Sequence, residues 1–135
     1  MVGAAALGAA GERAVNHPGK PAAGSALVPD NGRWTPVTTA ADLSARSALS
    51  FSVGHVVGVV ADNGGNPAAV SAVCTHQGCL LRLDDARRQL ACPCHNTVFS
   101  LSGEVLHHSL RNKPAPLPPL RVREREGRVE VLLPG

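Results

Sequence analysis

Two short stretches of the chain bring together residue types that bind soft metal ions. They read C-T-H-Q-G-C at residues 74–79 and C-P-C-H-N-T at residues 92–97, and they hold all four cysteines and two of the six histidines of the 135-residue chain. Each stretch offers a cysteine and a histidine close together, and each carries one further cysteine. Two thiolates with two imidazoles are a ligand set for zinc or for an iron–sulfur cluster with mixed ligands.

The spacing of these residues favours the cluster over zinc. Paired zinc ligands are typically separated by about two to four residues, whereas a single residue separates Cys74 from His76. Zinc bound by the two Cys–His pairs also leaves Cys79 and Cys94 without a role. A two-iron cluster with two Cys on one iron and two His on the other takes one residue of each type from each stretch. A zinc-binding module without redox function stays open as an alternative.

The motifs C-T-H-x-G-C and C-P-C-H resemble the signature of Rieske [2Fe–2S] proteins, in the form with a disulfide between the two loops. The likeness runs from about Thr35 to the C-terminus, and it is to the soluble head of cytochrome bc complex Rieske subunits and to related exported bacterial Rieske proteins. It implies an all-β fold, a Rieske-like antiparallel β-sandwich with an inserted cluster-binding subdomain. The ligands that it implies for the [2Fe–2S] cluster are Cys74, His76, Cys92 and His95. The disulfide that it implies joins Cys79 to Cys94.

The second motif departs from the high-potential Rieske pattern C-P-C-H-G-S-x-Y at three positions, which here hold Asn96, Thr97 and Phe99. Thr97 keeps a hydroxyl that can donate a hydrogen bond to a bridging sulfide, but Phe99 cannot donate to a cysteine sulfur as tyrosine does. Each such bond stabilises the reduced, more negative cluster. We therefore expect a reduction potential within the Rieske range of about −150 to +300 mV, below its top end.

Composition indicates one small domain built from strands. The chain has two Phe, one Trp and no Tyr, so Val, Leu and Ala must form the core, and 14 Gly with 11 Pro suit short strands joined by turns. A net charge of +3 without a block of Lys or Arg gives no case for nucleic-acid binding. A structural disulfide indicates an oxidising compartment.

Residues 1–33 are predicted to be a flexible leader and linker. The apolar run at residues 1–10 is too short to cross a bilayer, which needs about 20 residues, and no positively charged region precedes it. Two interpretations compete: the remnant of a signal or membrane anchor followed by a hinge, or a leader rich in Ala and Gly.

The Rieske domain is predicted over residues 34–135, with a single turn at Thr39–Leu43 and a final hairpin of strands Leu120–Arg125 and Arg128–Leu133. The cluster-binding subdomain is predicted at about residues 73–119. Within it, Pro114 and Pro116 are expected to lie in a rigid loop that covers a third side of the cluster, as in Rieske proteins. His55 is interpreted as a surface or hydrogen-bonded residue, and His107 and His108 as a surface pair.

The resemblance predicts one-electron transfer, as a carrier or a subunit of an exported or membrane-associated respiratory oxidoreductase. The expected partner is a cytochrome or oxidoreductase subunit, with quinol as a candidate donor, on the periplasmic or cell-surface side. If the protein is associated with a membrane, we expect the attachment to come through a missing N-terminal segment or through a partner. The alternatives are the Rieske subunit of a quinol–cytochrome c reductase and a Rieske-type ferredoxin for an oxygenase.

Overall fold

A computed structural model of the chain describes residues 31–75, 78–94 and 96–134, which form antiparallel strands and one short helix. The N-terminal leader, apart from its last residues, therefore lies outside the described residues. The elements in chain order are β1 (Gly32–Thr39), α1 (Ala40–Arg46), β2 (Ala48–Val53), β3 (Val56–Asn63), β4 (Asn66–Ser71), β5 (Arg82–Asp84), β6 (Gln89–Cys92), β7 (Thr97–Ser100), β8 (Val105–His107), β9 (Pro119–Leu120), β10 (Val122–Arg125) and β11 (Arg128–Pro134).

The strands form three sheets. The middle sheet has the order β9-β4-β3-β2, the second sheet has the order β10-β11-β1, and the third is a meander of β5, β6, β7 and β8. The turn between β3 and β4 consists of Gly64 and Gly65, both with positive φ, as a two-residue hairpin turn requires. The all-β prediction is confirmed.

The middle sheet is covered on both faces, which explains the uninterrupted apolar run in β3. Val59 and Ala61 point into a core shared with the third sheet, and Val60 between them points into a core shared with the second sheet. Successive side chains of a strand point to opposite faces, so a strand between two cores must be apolar at every position.

The third sheet is inserted between two strands that pair with each other. Pro119 and Leu120 of β9 lie opposite Val70 and Ala69 of β4, so residues 72–118 leave the middle sheet and return to it at the same place. This segment carries both cysteine motifs and the proline-rich stretch. We keep 73–119 as the proposed bounds of the cluster-binding subdomain.

Two elements differ from their prediction. The single turn predicted at Thr39–Leu43 is instead the start of α1, because the Thr39 hydroxyl accepts a hydrogen bond from the Asp42 amide at 3.1 Å and caps a two-turn helix. The strand predicted at Leu120–Arg125 is divided at Arg121 between β9 in the middle sheet and β10 in the second sheet. Leu120 before the break and Val122 after it nevertheless pack into the same core.

The second sheet carries a buried ion pair between its two C-terminal strands. Arg123 and Glu130 face each other on neighbouring strands with 2.7 Å between Nε and Oε1, and both side chains are largely buried. The Arg123 guanidinium also lies 4.3 Å from the centre of the Trp34 ring. These contacts hold β1, an edge strand in which Pro36 needs no ladder partner for an N–H, against the rest of the sheet.

In the part of the chain that the structure describes, no helix has the length and apolarity needed to cross a bilayer.

We expect Gly58→Ala to destabilise the domain, because an added Cβ would lie 2.5 Å from Cζ of Phe51 on the neighbouring strand and 3.0 Å from the Val70 carbonyl oxygen. Overpacking of this kind costs about 1–3 kcal/mol, measurable by urea unfolding. The double variant Gly58→Ala/Phe51→Leu should lose less than the sum of the two single losses. Additive losses would show that the overlap with Phe51 is not the cause.

Candidate metal centre

The first cysteine loop, which begins three residues beyond the end of β4, folds back on itself. The Cys74 amide donates to the Cys79 carbonyl at 2.7 Å, and the Gly78 amide donates to the Cys74 carbonyl at 2.9 Å. Gly78 has a φ of 77°, which suits glycine in such a tight reversal. Just outside the loop, Val73 and Leu80 form an isolated β-bridge. This geometry returns the chain to its starting point and leaves Cys74 buried at the base of the loop.

The second cysteine loop is the turn between β6 and β7. Cys92 is the last residue of β6 and lies directly opposite Thr97, the first residue of β7. Both residues are buried, whereas Cys94 between them is exposed. The strand pairing therefore sets the position of Cys92, and the turn carries Cys94 outward.

A disulfide joins the two loops through Cys79 and Cys94, whose Cα atoms are 6.5 Å apart, and the predicted pairing is confirmed. It leaves Cys74 and Cys92 outside the bond. Both belong to one buried core group together with Leu90, Phe99 and Leu117. The structure therefore places one buried cysteine from each loop in apolar surroundings, as expected for thiolates that hold a metal away from water.

The other two predicted ligands, His76 and His95, lie outside the described residues. Their role as ligands stays a prediction.

Thr97 provides a test of whether the site suits an iron–sulfur cluster. The side chain is 1% exposed, and its Oγ1 has no hydrogen-bond partner among the described residues. Leaving a buried hydroxyl unsatisfied costs about 1–3 kcal/mol. A sulfide of a cluster bound between the loops is an acceptor of the kind this hydroxyl lacks. The residues present therefore fit such a group.

The proline-rich segment lies against the first loop. The Thr75 hydroxyl donates to the Ala115 carbonyl at 2.6 Å, and the Leu117 amide donates to the Gly103 carbonyl at 2.9 Å. Pro114 is buried and Pro116 half-buried. The segment is thus bonded to the loop that carries Cys74, while its predicted role as a cover of the cluster stays a prediction.

The sulfur atoms of Cys79, Cys92 and Cys94 form a second grouping, in which all three lie within 4.8 Å of one another. Two of them are bonded to each other, and a disulfide sulfur is not a thiolate ligand. In the disulfide form this grouping therefore does not replace Cys74 and Cys92 as the expected thiolate pair.

One set of contacts beside the second loop had no counterpart in the sequence-based predictions. The Asn96 Nδ2 lies 3.3 Å from the His107 Nε2 and donates to the Ser109 Oγ at 3.2 Å. His108 instead accepts from the Leu110 amide at 3.2 Å, and it is half-buried where His107 is exposed. The two histidines are therefore not an equivalent surface pair, although His55 is exposed as predicted.

Comparison with known proteins agrees with this geometry. Residues 33–120 match the family described as the Rieske [2Fe-2S] domain. The chain is 37% identical over 73 residues to the cytochrome b6-f complex iron-sulfur subunit of Chlorobaculum tepidum, covering 54% of this chain and 39% of that protein. It thus spans well under half of that relative.

Two other relatives match over nearly their whole length. Sulredoxin of Sulfurisphaera tokodaii is 30% identical over 105 residues, covering 73% of this chain and 96% of that protein. The crystal structure of the plasma membrane Rieske protein PetC3 from Synechocystis PCC 6803 superposes with a TM-score of 0.62 at 30% identity, covering 72% of this chain and 97% of that one. From the two cysteine loops, the fold and these matches together, the chain belongs to the Rieske [2Fe–2S] family.

Proposed function

We propose that the chain transfers single electrons through a Rieske [2Fe–2S] cluster, as a carrier or as a subunit of an exported or membrane-associated respiratory oxidoreductase. The observation that carries this proposal is the pair of buried cysteines, Cys74 and Cys92, on two loops that the Cys79–Cys94 disulfide joins. When bound, the cluster supplies reversible one-electron chemistry.

In this proposal Cys74 and Cys92 would hold one iron of the cluster, and His76 and His95 would hold the other. The burial of both thiols supports their assignment as ligands, because apolar surroundings would exclude water from the metal. Imidazole ligands carry no charge, and replacing two thiolates by them raises the reduction potential.

Four further side chains are proposed to tune the site. The Thr97 hydroxyl would donate a hydrogen bond to a cluster sulfur. Phe99 is fully buried in the same core group as both cysteines and would offer no hydrogen-bond donor. Pro114 and Pro116 would hold the segment that covers the third side, supported by its hydrogen bond to the first loop. Proline keeps such a segment rigid without needing hydrogen-bond acceptors.

The partners and the compartment are proposed from the relatives and the disulfide. The Chlorobaculum tepidum relative is named as a subunit of a cytochrome b6-f complex, which supports a membrane complex as partner here, with quinol as donor and a cytochrome as acceptor. The disulfide supports an oxidising, extracytoplasmic location on the periplasmic or cell-surface side. It also disfavours the oxygenase ferredoxin as an alternative.

The proposed function is tested by electron paramagnetic resonance of the full chain, reduced first with ascorbate and then with dithionite. We expect a Rieske signal with iron and sulfide in the sample. A signal with ascorbate supports quinol as donor, and one that needs dithionite favours the ferredoxin alternative. Cys74→Ser should abolish the signal, whereas Cys79→Ser, in the same loop but outside the ligand set, should keep it. Zinc in place of iron would refute the proposal.

Thr97→Val should not lower the free energy of unfolding of the cluster-free protein, but it should lower the reduction potential of the protein with its cluster. Without the cluster, it removes a buried unsatisfied hydroxyl and should leave the free energy of unfolding unchanged or raise it by about 1 kcal/mol. With the cluster, it removes a hydrogen bond that stabilises the reduced form. A loss of roughly 1 kcal/mol there lowers a one-electron potential by about 40 mV. Thr97→Ser, which keeps the hydroxyl, is the control. An unchanged potential would show that the hydroxyl does not face the cluster.

Phe99→Tyr should raise the reduction potential by a similar amount, about 40 mV, because the added hydroxyl can donate to a cysteine sulfur. Protein-film voltammetry measures this shift. In the cluster-free protein the cysteine sulfur is a thiol and only a weak acceptor, so the buried hydroxyl is poorly satisfied and the variant should unfold at lower urea concentration than the parent. A potential that falls or does not move would mean that position 99 does not face a ligand sulfur.

A further inference from the structure

We propose that the chain has a second soft-metal site, formed by Cys79, Cys92 and Cys94 when the disulfide is reduced and the cluster is absent. This site would bind Zn²⁺ through three thiolates. It shares only Cys92 with the proposed cluster ligands, and it would form whether or not the proposed electron-transfer function is correct.

The positions of the three sulfur atoms carry this inference. All three lie within 4.8 Å of one another, contributed by both loops. A Zn–S bond is about 2.3 Å long, so two sulfurs on one tetrahedral zinc ion stand about 3.8 Å apart. The sulfurs therefore need only small movements to share an ion, and three thiolates leave the fourth position of the tetrahedron to water.

The short spacing between Cys92 and Cys94 does not argue against this site. Zinc ligands on one loop are usually separated by about two to four residues, but only Pro93 stands between these two. The usual spacing only indicates which ligand atoms one loop can bring close together. In this structure the sulfurs of Cys92 and Cys94 are already close to each other. Cys79 on the other loop supplies the third ligand, so the site does not depend on one loop alone.

Opening the disulfide is a two-electron step that needs a reductant. A dithiol gives two electrons and two protons, the S–S bond breaks, Cys79 and Cys94 become thiols, and the dithiol becomes a disulfide. A phosphine does the same while it takes an oxygen atom from water. Cys94 is exposed and Cys79 is half-buried, so both the reductant and the metal ion can approach from this side. Zinc then displaces the thiol protons.

Each loop has backbone contacts of its own that do not involve the disulfide. In the first loop, the hydrogen bonds of Cys74 with Cys79 and Gly78 hold the reversal. In the second, the pairing of Cys92 with Thr97 closes the turn. The disulfide adds the link from one loop to the other, and a zinc ion held by Cys79 and the other two cysteines restores that link. Because Cys92 is used by both sites, zinc bound here excludes the cluster.

The test is a Co²⁺ titration of the full chain, prepared without cluster and reduced with a phosphine, followed by the sulfur-to-cobalt charge-transfer absorption. We expect one Co²⁺ per chain, displaced by Zn²⁺. Cys94→Ser should weaken binding by roughly 100-fold or more. Cys74→Ser, which removes a thiol from the other proposed ligand set, should leave binding unchanged. The parent protein with its disulfide intact should lack the three-thiolate absorption, a comparison that needs no variant.

The opposite pattern would overturn the proposal. If Cys74→Ser abolishes binding and Cys94→Ser does not, the metal occupies the Cys74, His76, Cys92 and His95 set instead. Equal binding by the oxidised and reduced parent protein would also overturn it. As a second readout, preloading with Zn²⁺ should prevent the cluster from forming when ferrous iron and sulfide are added, and a chelator should restore its formation. If the protein that carries the [2Fe–2S] cluster does not transfer electrons, the proposed function is refuted, but the proposed zinc site is not.

Discussion

Two cysteines that follow different sheets, one beyond the last strand residue of the middle sheet and one at the end of a strand in the third, must be held in one buried core group. Cys74 follows β4 and Cys92 ends β6, so the distance between them depends on how the two sheets lie on each other. The shared core under the third sheet sets that arrangement, and the disulfide between the loops fixes it covalently. The turns, the proline-rich segment and the inserted topology all serve this one placement.

The surroundings of the site combine apolar packing with a polar group, the Thr97 hydroxyl, that finds no partner within the described part of the chain. Phe99 and Leu90 fill the space beside the cysteines, and Thr97 brings a hydroxyl into it. Folded proteins rarely bury an unsatisfied donor without a reason. Local rules of stability are broken most often where function requires it, and Thr97 is such a place.

The sequence was sufficient for the features that are local or periodic. The cysteine motifs identified the two loops, and the strands of the final hairpin were predicted on either side of the turn at Glu126 and Gly127. The division at Arg121 could not be predicted, because a period of two shows that a strand has a buried face but does not show which sheet it joins. The bond from Thr75 to Ala115 and the contact of Asn96 with His107 join residues distant in sequence, and no local pattern marks such pairs.

The first and last strands of the domain pair with each other, Gly32 of β1 opposite Pro134 of β11. The second sheet therefore cannot close until a ribosome has made the whole domain, whereas the third sheet pairs only strands that follow one another along the chain. Non-local strand pairs form late, because the loop between them must first be closed at an entropic cost. During synthesis, the four cysteines consequently emerge before the second sheet is complete, and their thiols meet the chemistry of the compartment in which the chain is made.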